Sequence, residues 1–94
     1  MPSSNLTLRA DKAEKYIKSL SKHFARKVEV TQETEVATVA FPMGLCRMFA
    51  DGREMHFCCK ADSDQALEAV KTIINSHVTR FGELKNVTVQ WDNT

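Results

Sequence analysis

The dipeptide Asp51-Gly52 constrains the fold of this 94-residue chain more than any other feature, because it lies between two runs of alternating apolar and polar residues. These runs cover residues 45–50 and 53–61. A two-residue Asp-Gly loop favours a type I′ turn, whose positive φ angles suit both residues and whose twist matches the adjoining strands. The sequence therefore predicts a β-hairpin with its loop at this dipeptide.

The predicted hairpin has two unlike faces, because successive side chains of a strand point to opposite sides of the sheet. One face carries the pairs Ala50 with Arg53, Met48 with Met55 and Cys46 with Phe57, and the other carries Phe49 with Glu54, Arg47 with His56 and Leu45 with Cys58. The first face is largely apolar and is expected to cover the core. The second is mixed and is expected to lie on the open side of the sheet.

Two segments have the periodicity of amphipathic helices, with an apolar stripe on one side. The first begins with a capping-box pattern at Asp11 and continues to about Ala25. The second begins with the same pattern at Asp62 and ends before Gly82, which is a typical helix stop. Each helix therefore has a single face with which to cover a sheet.

Further strands are predicted around the hairpin, at residues 6–10, 28–33, 35–41 and 87–91. The resulting order is strand, helix, four strands, helix and strand. This order is typical of an α+β fold, a two-layer sandwich in which an antiparallel sheet carries both helices on one face. We expect a single domain over residues 1–94.

The composition limits the cellular location and the kinds of partner that are expected for the chain. No apolar stretch approaches the roughly 18 residues of a membrane span, and the opening Met-Pro-Ser-Ser-Asn lacks the features of a signal peptide, so we expect a cytoplasmic protein with no membrane partner. Three cysteines are not a disulfide framework and are expected as free thiols. Residues 1–27 hold seven Lys/Arg against two acids, but this basic helix lacks stacking aromatics, so nucleic acid is not an expected partner.

Several short motifs follow one another in a particular order: Lys22-His23-Phe24 with Lys27, Phe41-Pro42-Met43-Gly44-Leu45-Cys46, His77 with Arg80-Phe81, and Val89-Gln90-Trp91. With these motifs the chain resembles the bacterial domain-of-unknown-function family 2218 across nearly its whole length. Domains of that family occur alone or joined to siderophore-interacting flavin reductase domains, which implies an accessory role in iron or siderophore metabolism. The family often has a second histidine where this chain has Arg26. The element order is also similar to the TATA-binding-protein-like arrangement, an analogy of fold alone.

The open sheet face is the first candidate site. It combines Leu45, Phe49 and Cys58 with Arg47 and His56. Such a face suits a second copy of the chain or another protein, or an anionic aromatic ligand, and we place self-association ahead of ligand binding. The plainer interpretation is a solvent-facing sheet with scattered apolar residues.

His23 and His77 are the second candidate site. His77 lies within an apolar stripe, where a structural histidine bonded to a backbone carbonyl is favoured over a metal ligand or a proton relay. His23 lies near a helix C-terminus, where the dipole favours a cation. The two residues would meet if the helices ran parallel and would lie apart if they ran antiparallel, and the sequence leaves both arrangements open.

A small binding domain with no cofactor and no catalytic residues is the function that the sequence favours. The alternative is a small metal-binding or enzymatic domain that uses His23 with His77, or His56 with Cys58, whose spacing places two metal-ligand types on one sheet face. Two ligands do not complete a metal site. The sequence shows neither a Ser/His/Asp spacing nor paired carboxylates, so an enzyme is less favoured.

Overall fold

The computed structural model describes residues 2–33, 35–85, 89 and 91–93. The helices are α1 (Ala13–Ala25) and α2 (Asp64–Val78), and a short 3-10 turn covers Gly82–Leu84. The strands are β1 (Ser3–Arg9), β2 (Glu29–Glu33), β3 (Val36–Phe41), β4 (Gly44–Asp51), β5 (Glu54–Ala61) and β6 (Asp92–Asn93). The predicted α+β fold and its element order are therefore confirmed.

The strands form one antiparallel sheet in the order β2-β3-β4-β5-β1-β6. The predicted four-strand meander is β2 to β5, and β1 lies against β5. In the described part of the last segment, the strand pairing is at Asp92–Asn93 rather than at Val89 or Trp91, while residues 86–88 and 90 fall outside the described residues.

The predicted register of the hairpin is wrong by two residues. Asp51 lies opposite Glu54, so that Gly52 and Arg53 form the loop. Gly52 has a φ of +61° at the first central position, where types I′ and II′ both require a positive angle, and glycine accepts that angle more readily than aspartate does. The observed pairs are Ala50 with Met55, Phe49 with His56, Met48 with Phe57, Arg47 with Cys58, Cys46 with Cys59 and Leu45 with Lys60. A shift of two residues keeps every side chain on its predicted face.

The core lies between the helices and one face of the sheet. Met48 and Phe57 are fully buried there, as the sequence predicts, in one cluster with Leu20 of α1 and Val70 of α2. Phe81 is half-buried and packs at the margin of the core. Covering this face leaves the opposite face of the sheet without a helix.

The N-cap of each helix lies one residue after the predicted cap. The N-cap of α1 is Lys12 rather than Asp11, and the N-cap of α2 is Ser63 rather than Asp62. The extended backbone of Ser63 lets its hydroxyl accept the Ala66 N–H at 3.1 Å. Among the described residues, neither helix has the length and apolar character needed to cross a membrane.

Candidate functional site

The face of the sheet that the helices leave uncovered is called the open face here. Its side chains come from alternate residues of β1 to β5, because each is paired in register with an open-face neighbour. All five predicted residues of the first candidate site lie on it: Leu45, Arg47, Phe49, His56 and Cys58. Alternation along the strands therefore predicts the face of each of these side chains correctly. Their cross-strand partners differ from the predicted ones.

A groove of about 910 Å³ crosses the open face. Leu45, Arg47, Phe49 and Cys58 line it, and further lining comes from Ser3, Asn5, Thr31, Glu33, Val36, Thr38 and Lys60. Leu45 is 39% exposed and is the one large apolar side chain that is exposed within the described part of the chain. The groove thus has Arg47 near its centre, with Leu45 on one side of it and Phe49 on the other along β4, and it has charged groups at Glu33 and Lys60.

His56 lies beside the groove and does not line it. Its ring stacks on Phe49, with centroids 4.8 Å apart and planes at 22°. Its Nδ1 is 3.1 Å from the Thr7 hydroxyl, and its Nε2 is 3.8 Å from a carboxylate oxygen of Glu54. These contacts fix the imidazole, which in turn supports the Phe49 ring that forms the groove wall.

The two histidines of the second candidate site meet. The ring centroids of His23 and His77 are 4.8 Å apart, and the Phe24 ring also lies 4.8 Å from that of His77. Nearby, Tyr16 and Phe81 stack with centroids 4.2 Å apart. The last turns of α1 and α2 are therefore in contact, which settles a question that the sequence left open.

Hydrogen bonding fixes the orientation of His77. Its Nδ1 is 2.7 Å from the Ile73 carbonyl oxygen, and because that oxygen can only accept, Nδ1 carries the proton. This is the backbone-carbonyl bond expected of a structural histidine. It leaves Nε2 as the ring nitrogen with a lone pair when the imidazole is neutral.

The surroundings of His23 disfavour protonation of its imidazole. Burial lowers the pKa of His23 below its ordinary value of 6.5, and the charges of His77, Lys27, Arg80 and Arg26 lower it further. These four groups are all basic. Within the described residues, no group of three or more His, Cys, Asp or Glu side chains is arranged to hold a metal ion, around His23 or beside His56 and Cys58.

Sequence reasoning missed the groove residues that come from β1 and β2. Ser3 and Asn5 reach the groove because β1 lies beside β5, and Glu33 reaches it from β2. The alternation of Asn5 with the buried Leu6 was the available signal for its face. Its neighbours across the sheet depend on strand order, which that alternation does not specify.

Comparisons with known proteins support the fold and add no activity. Residues 6–92 match a family described as an uncharacterized protein conserved in bacteria (DUF2218). The NMR structure of PA4090 from Pseudomonas aeruginosa is similar to this chain, with a TM-score of 0.82 and 21% identity over 98% of this chain and 96% of that chain. At that identity the likeness shows the fold alone. No curated protein matches the chain.

Proposed function

We propose that this chain, which belongs to the bacterial family of uncharacterized proteins DUF2218, is an interaction domain that binds a second copy of itself through the open face of its sheet. The observation that carries the proposal is the groove, in which the exposed Leu45 and the Phe49 ring lie on either side of Arg47. Aromatic and arginine side chains are enriched in protein interfaces and are among the residues that contribute most to binding.

The charges on the open face suit self-association. Glu29 and Glu33 lie on β2 at one edge of the sheet, Arg47 lies near its middle, and Lys60 lies on β5 toward the other edge. A two-fold axis parallel to the strands would place Glu29 of each copy over the half of its partner that carries Lys60. In such an isologous interface one acid–base contact occurs twice, which favours this alignment over one that joins like edges.

The size of the open face also suits a dimer. The two longer dimensions of the molecule are 33 and 26 Å, which bound the area that one face can supply. A stable interface of standard size needs about 800 Å² from each partner. The open face can supply about that area without contribution from the helices.

The test is the mass of the full chain in solution over a range of concentrations, measured by light scattering or sedimentation. We expect a species of twice the 10.6 kDa chain mass that dissociates on dilution and in high salt. The variant with Arg47→Glu and Phe49→Ala is expected to stay monomeric. Lys15→Glu on the exposed side of α1 is the control for the change in charge. A wild-type chain that remains monomeric at all concentrations would refute the proposal.

A charge swap tests the alignment itself. Glu29→Lys and Lys60→Glu should each weaken self-association, because Glu29 is level with Lys60 along the strands and each change places like charges together across the two-fold axis. The double variant restores the opposite charges and should recover most of the lost affinity. If the losses of affinity in the two single variants add up in the double variant, this alignment is ruled out. A chain that stays monomeric, and whose groove residues shift their NMR signals on addition of aromatic carboxylates, would support the alternative of ligand binding.

We infer anion binding at His23 and His77 as a second candidate function. The observation that favours it is the contact between the two rings among Lys27, Arg26 and Arg80. A bound anion would favour the protonated form of both imidazoles, whereas a metal cation would be repelled by these charges. Of the ligand types considered for this histidine pair, an anion therefore fits better than a metal.

Ring NMR signals of the histidines provide the test. Inorganic phosphate should raise the pKa of His23 and shift the signals of His23 and His77, with the His56 signals as an internal reference. Arg80→Gln should weaken the effect. A response to zinc chloride together with none to phosphate would favour the metal interpretation instead.

The accessory role in iron or siderophore metabolism that the family resemblance implies stays a prediction. Genes for siderophore uptake next to the gene for this chain would support it. Shifts of the Arg47 and Phe49 signals on addition of a ferric siderophore would connect that role to the groove.

A further inference from the structure

Two buried cysteines face each other across the central strands of the sheet. Cys46 of β4 and Cys59 of β5 are direct cross-strand partners, and their sulfur atoms are 2.9 Å apart, with the Cys59 thiol donating to Cys46. Both are free thiols with no exposed surface. We propose that Cys46 and Cys59 form a redox modification site, in which a peroxide converts the two thiols to a cross-strand disulfide.

The position of the pair within the ladder suits such a bond. In a hairpin with a two-residue loop, the pair that closes the loop is hydrogen-bonded, and the two pair types alternate from there. Counting from the closing pair Asp51 and Glu54, Cys46 and Cys59 form a non-hydrogen-bonded pair. The Cα atoms of such a pair are about 4.5 Å apart, which lies within the range that disulfides need, so the strands can stay in place.

The third cysteine is separated from this pair by the sheet. Cys58 points to the open face opposite Arg47, whereas its neighbour Cys59 points to the core. A bond from Cys58 to either buried thiol would require one strand to rotate, because adjacent side chains leave opposite faces. The fold therefore selects one of the three pairings, and it does so through the observed register, since the predicted register placed Cys46 opposite Phe57.

The chemistry balances with hydrogen peroxide as the oxidant. One cysteine, as thiolate, attacks a peroxide oxygen; the O–O bond breaks, and the departing hydroxide takes up the proton that the thiol released and becomes water. The product is a sulfenic acid. The second sulfur then attacks the oxidised sulfur, the S–O bond breaks, and a second water leaves with the remaining thiol proton. Two thiols are oxidised to one disulfide while one peroxide is reduced to two waters.

The surroundings of the two thiols determine how fast they react with peroxide. The hydrogen bond with Cys59 and burial raise the pKa of Cys46 well above its usual value. Little thiolate is then present at neutral pH, and the thiolate is the reactive form. The disulfide should form during prolonged exposure to peroxide and form faster as the pH rises, after the half-buried Cys58 has reacted.

The experiment uses the folded full-length Cys58→Ser chain, in which only the proposed pair can react. Peroxide should remove two hydrogens from the intact mass, join the peptides that contain Cys46 and Cys59, and allow full reversal by dithiothreitol. The cross-link closes a loop between β4 and β5, so the Tm should rise by about 5 °C or more. The matched control Cys46→Ser/Cys58→Ser should show no loss of two hydrogens.

The wild-type chain supplies the result that would overturn the proposal. If peroxide oxidises Cys58 completely while Cys46 and Cys59 both remain open to alkylation after unfolding, the pair is not a redox site. The Cys58→Ser chain gives the decisive measurement even where a serine in the core prevents the control from folding. Because both thiols lie on the covered side of the sheet, this result is independent of the oligomeric state.

Discussion

The imidazole rings of His23 and His77 are in contact where the last turns of α1 and α2 meet, with their centroids 4.8 Å apart. Phe24 packs on the His77 ring, and the Ile73 carbonyl accepts its Nδ1 proton. Lys27, Arg80 and Arg26 also act on His23, and their positive charges lower its pKa. Protonation at this contact therefore adds a positive charge to a group of positive charges.

Acid should reduce the stability of the fold through His23. Its pKa is lowered in the folded chain, so the unfolded chain takes up this proton first as the pH falls below the ordinary value of 6.5. The free energy of unfolding should therefore be undiminished above that pH and should decrease as the pH falls toward the folded pKa. Urea unfolding in phosphate-free buffer should show a smaller decrease for His23→Asn than for the wild type. Equal pH dependence in both would contradict this, and His56→Asn is the matched control.

Truncation of one core side chain should separate the two faces of the sheet. Phe57 is fully buried, so Phe57→Ala should reduce the free energy of unfolding by about 3–5 kcal/mol through lost contacts and a cavity. Leu45 lies on the open face, and Leu45→Ala should change the free energy of unfolding by about 0.5 kcal/mol or less at concentrations that keep the chain monomeric. Urea unfolding measures both. Equal losses would mean that the open face is covered.

The cap of α2 should depend on Ser63. Its hydroxyl accepts the Ala66 N–H, so Ser63→Ala should destabilise the fold by about 1 kcal/mol. Asp62 precedes the cap, and Asp62→Ala should cost less because only its interaction with the helix dipole is lost. Thermal unfolding of the two variants at one pH gives the comparison. A larger loss of stability for Asp62→Ala than for Ser63→Ala would indicate that Asp62 is the N-cap, as the sequence predicts.

The hairpin loop should depend on Gly52. An alanine there must adopt a φ near +61°, which should reduce stability by about 1–2 kcal/mol even though no atom lies within 4 Å of the added carbon. Gly82 has the same open surroundings without a positive φ, so Gly82→Ala is the matched control and should be neutral or slightly stabilising. Denaturant midpoints measure the difference. Equal effects would show that the turn accommodates alanine.

Local patterns of the sequence were sufficient for the elements and for their faces. The apolar stripes of α1 and α2 and the alternation in β4 and β5 place Met48 and Phe57 in the core, and Arg47 and His56 on the open face, as observed. These predictions depend on the period of each element alone. They remain correct despite the error of two residues in register, because side chains alternate between the faces of a strand with a period of two residues.

The partners of each side chain were not available from the same patterns. The sequence pairs Arg47 with His56 and Cys46 with Phe57, whereas the structure pairs Arg47 with Cys58 and Cys46 with Cys59. The difference arises at the loop, where glycine suits either central position of a primed turn. One residue of ambiguity in the loop therefore moved every cross-strand contact, including the thiol pair.

The sequence by itself determined which residues form helices and strands and which side of each element is apolar, because those properties repeat along a short stretch of chain. Only the tertiary structure decided that His23 meets His77, that Cys46 meets Cys59, and that Ser3 and Glu33 share a groove with Arg47. These contacts join residues from separate elements. Their geometry is set by strand order, register and helix packing, which depend on the whole core at once.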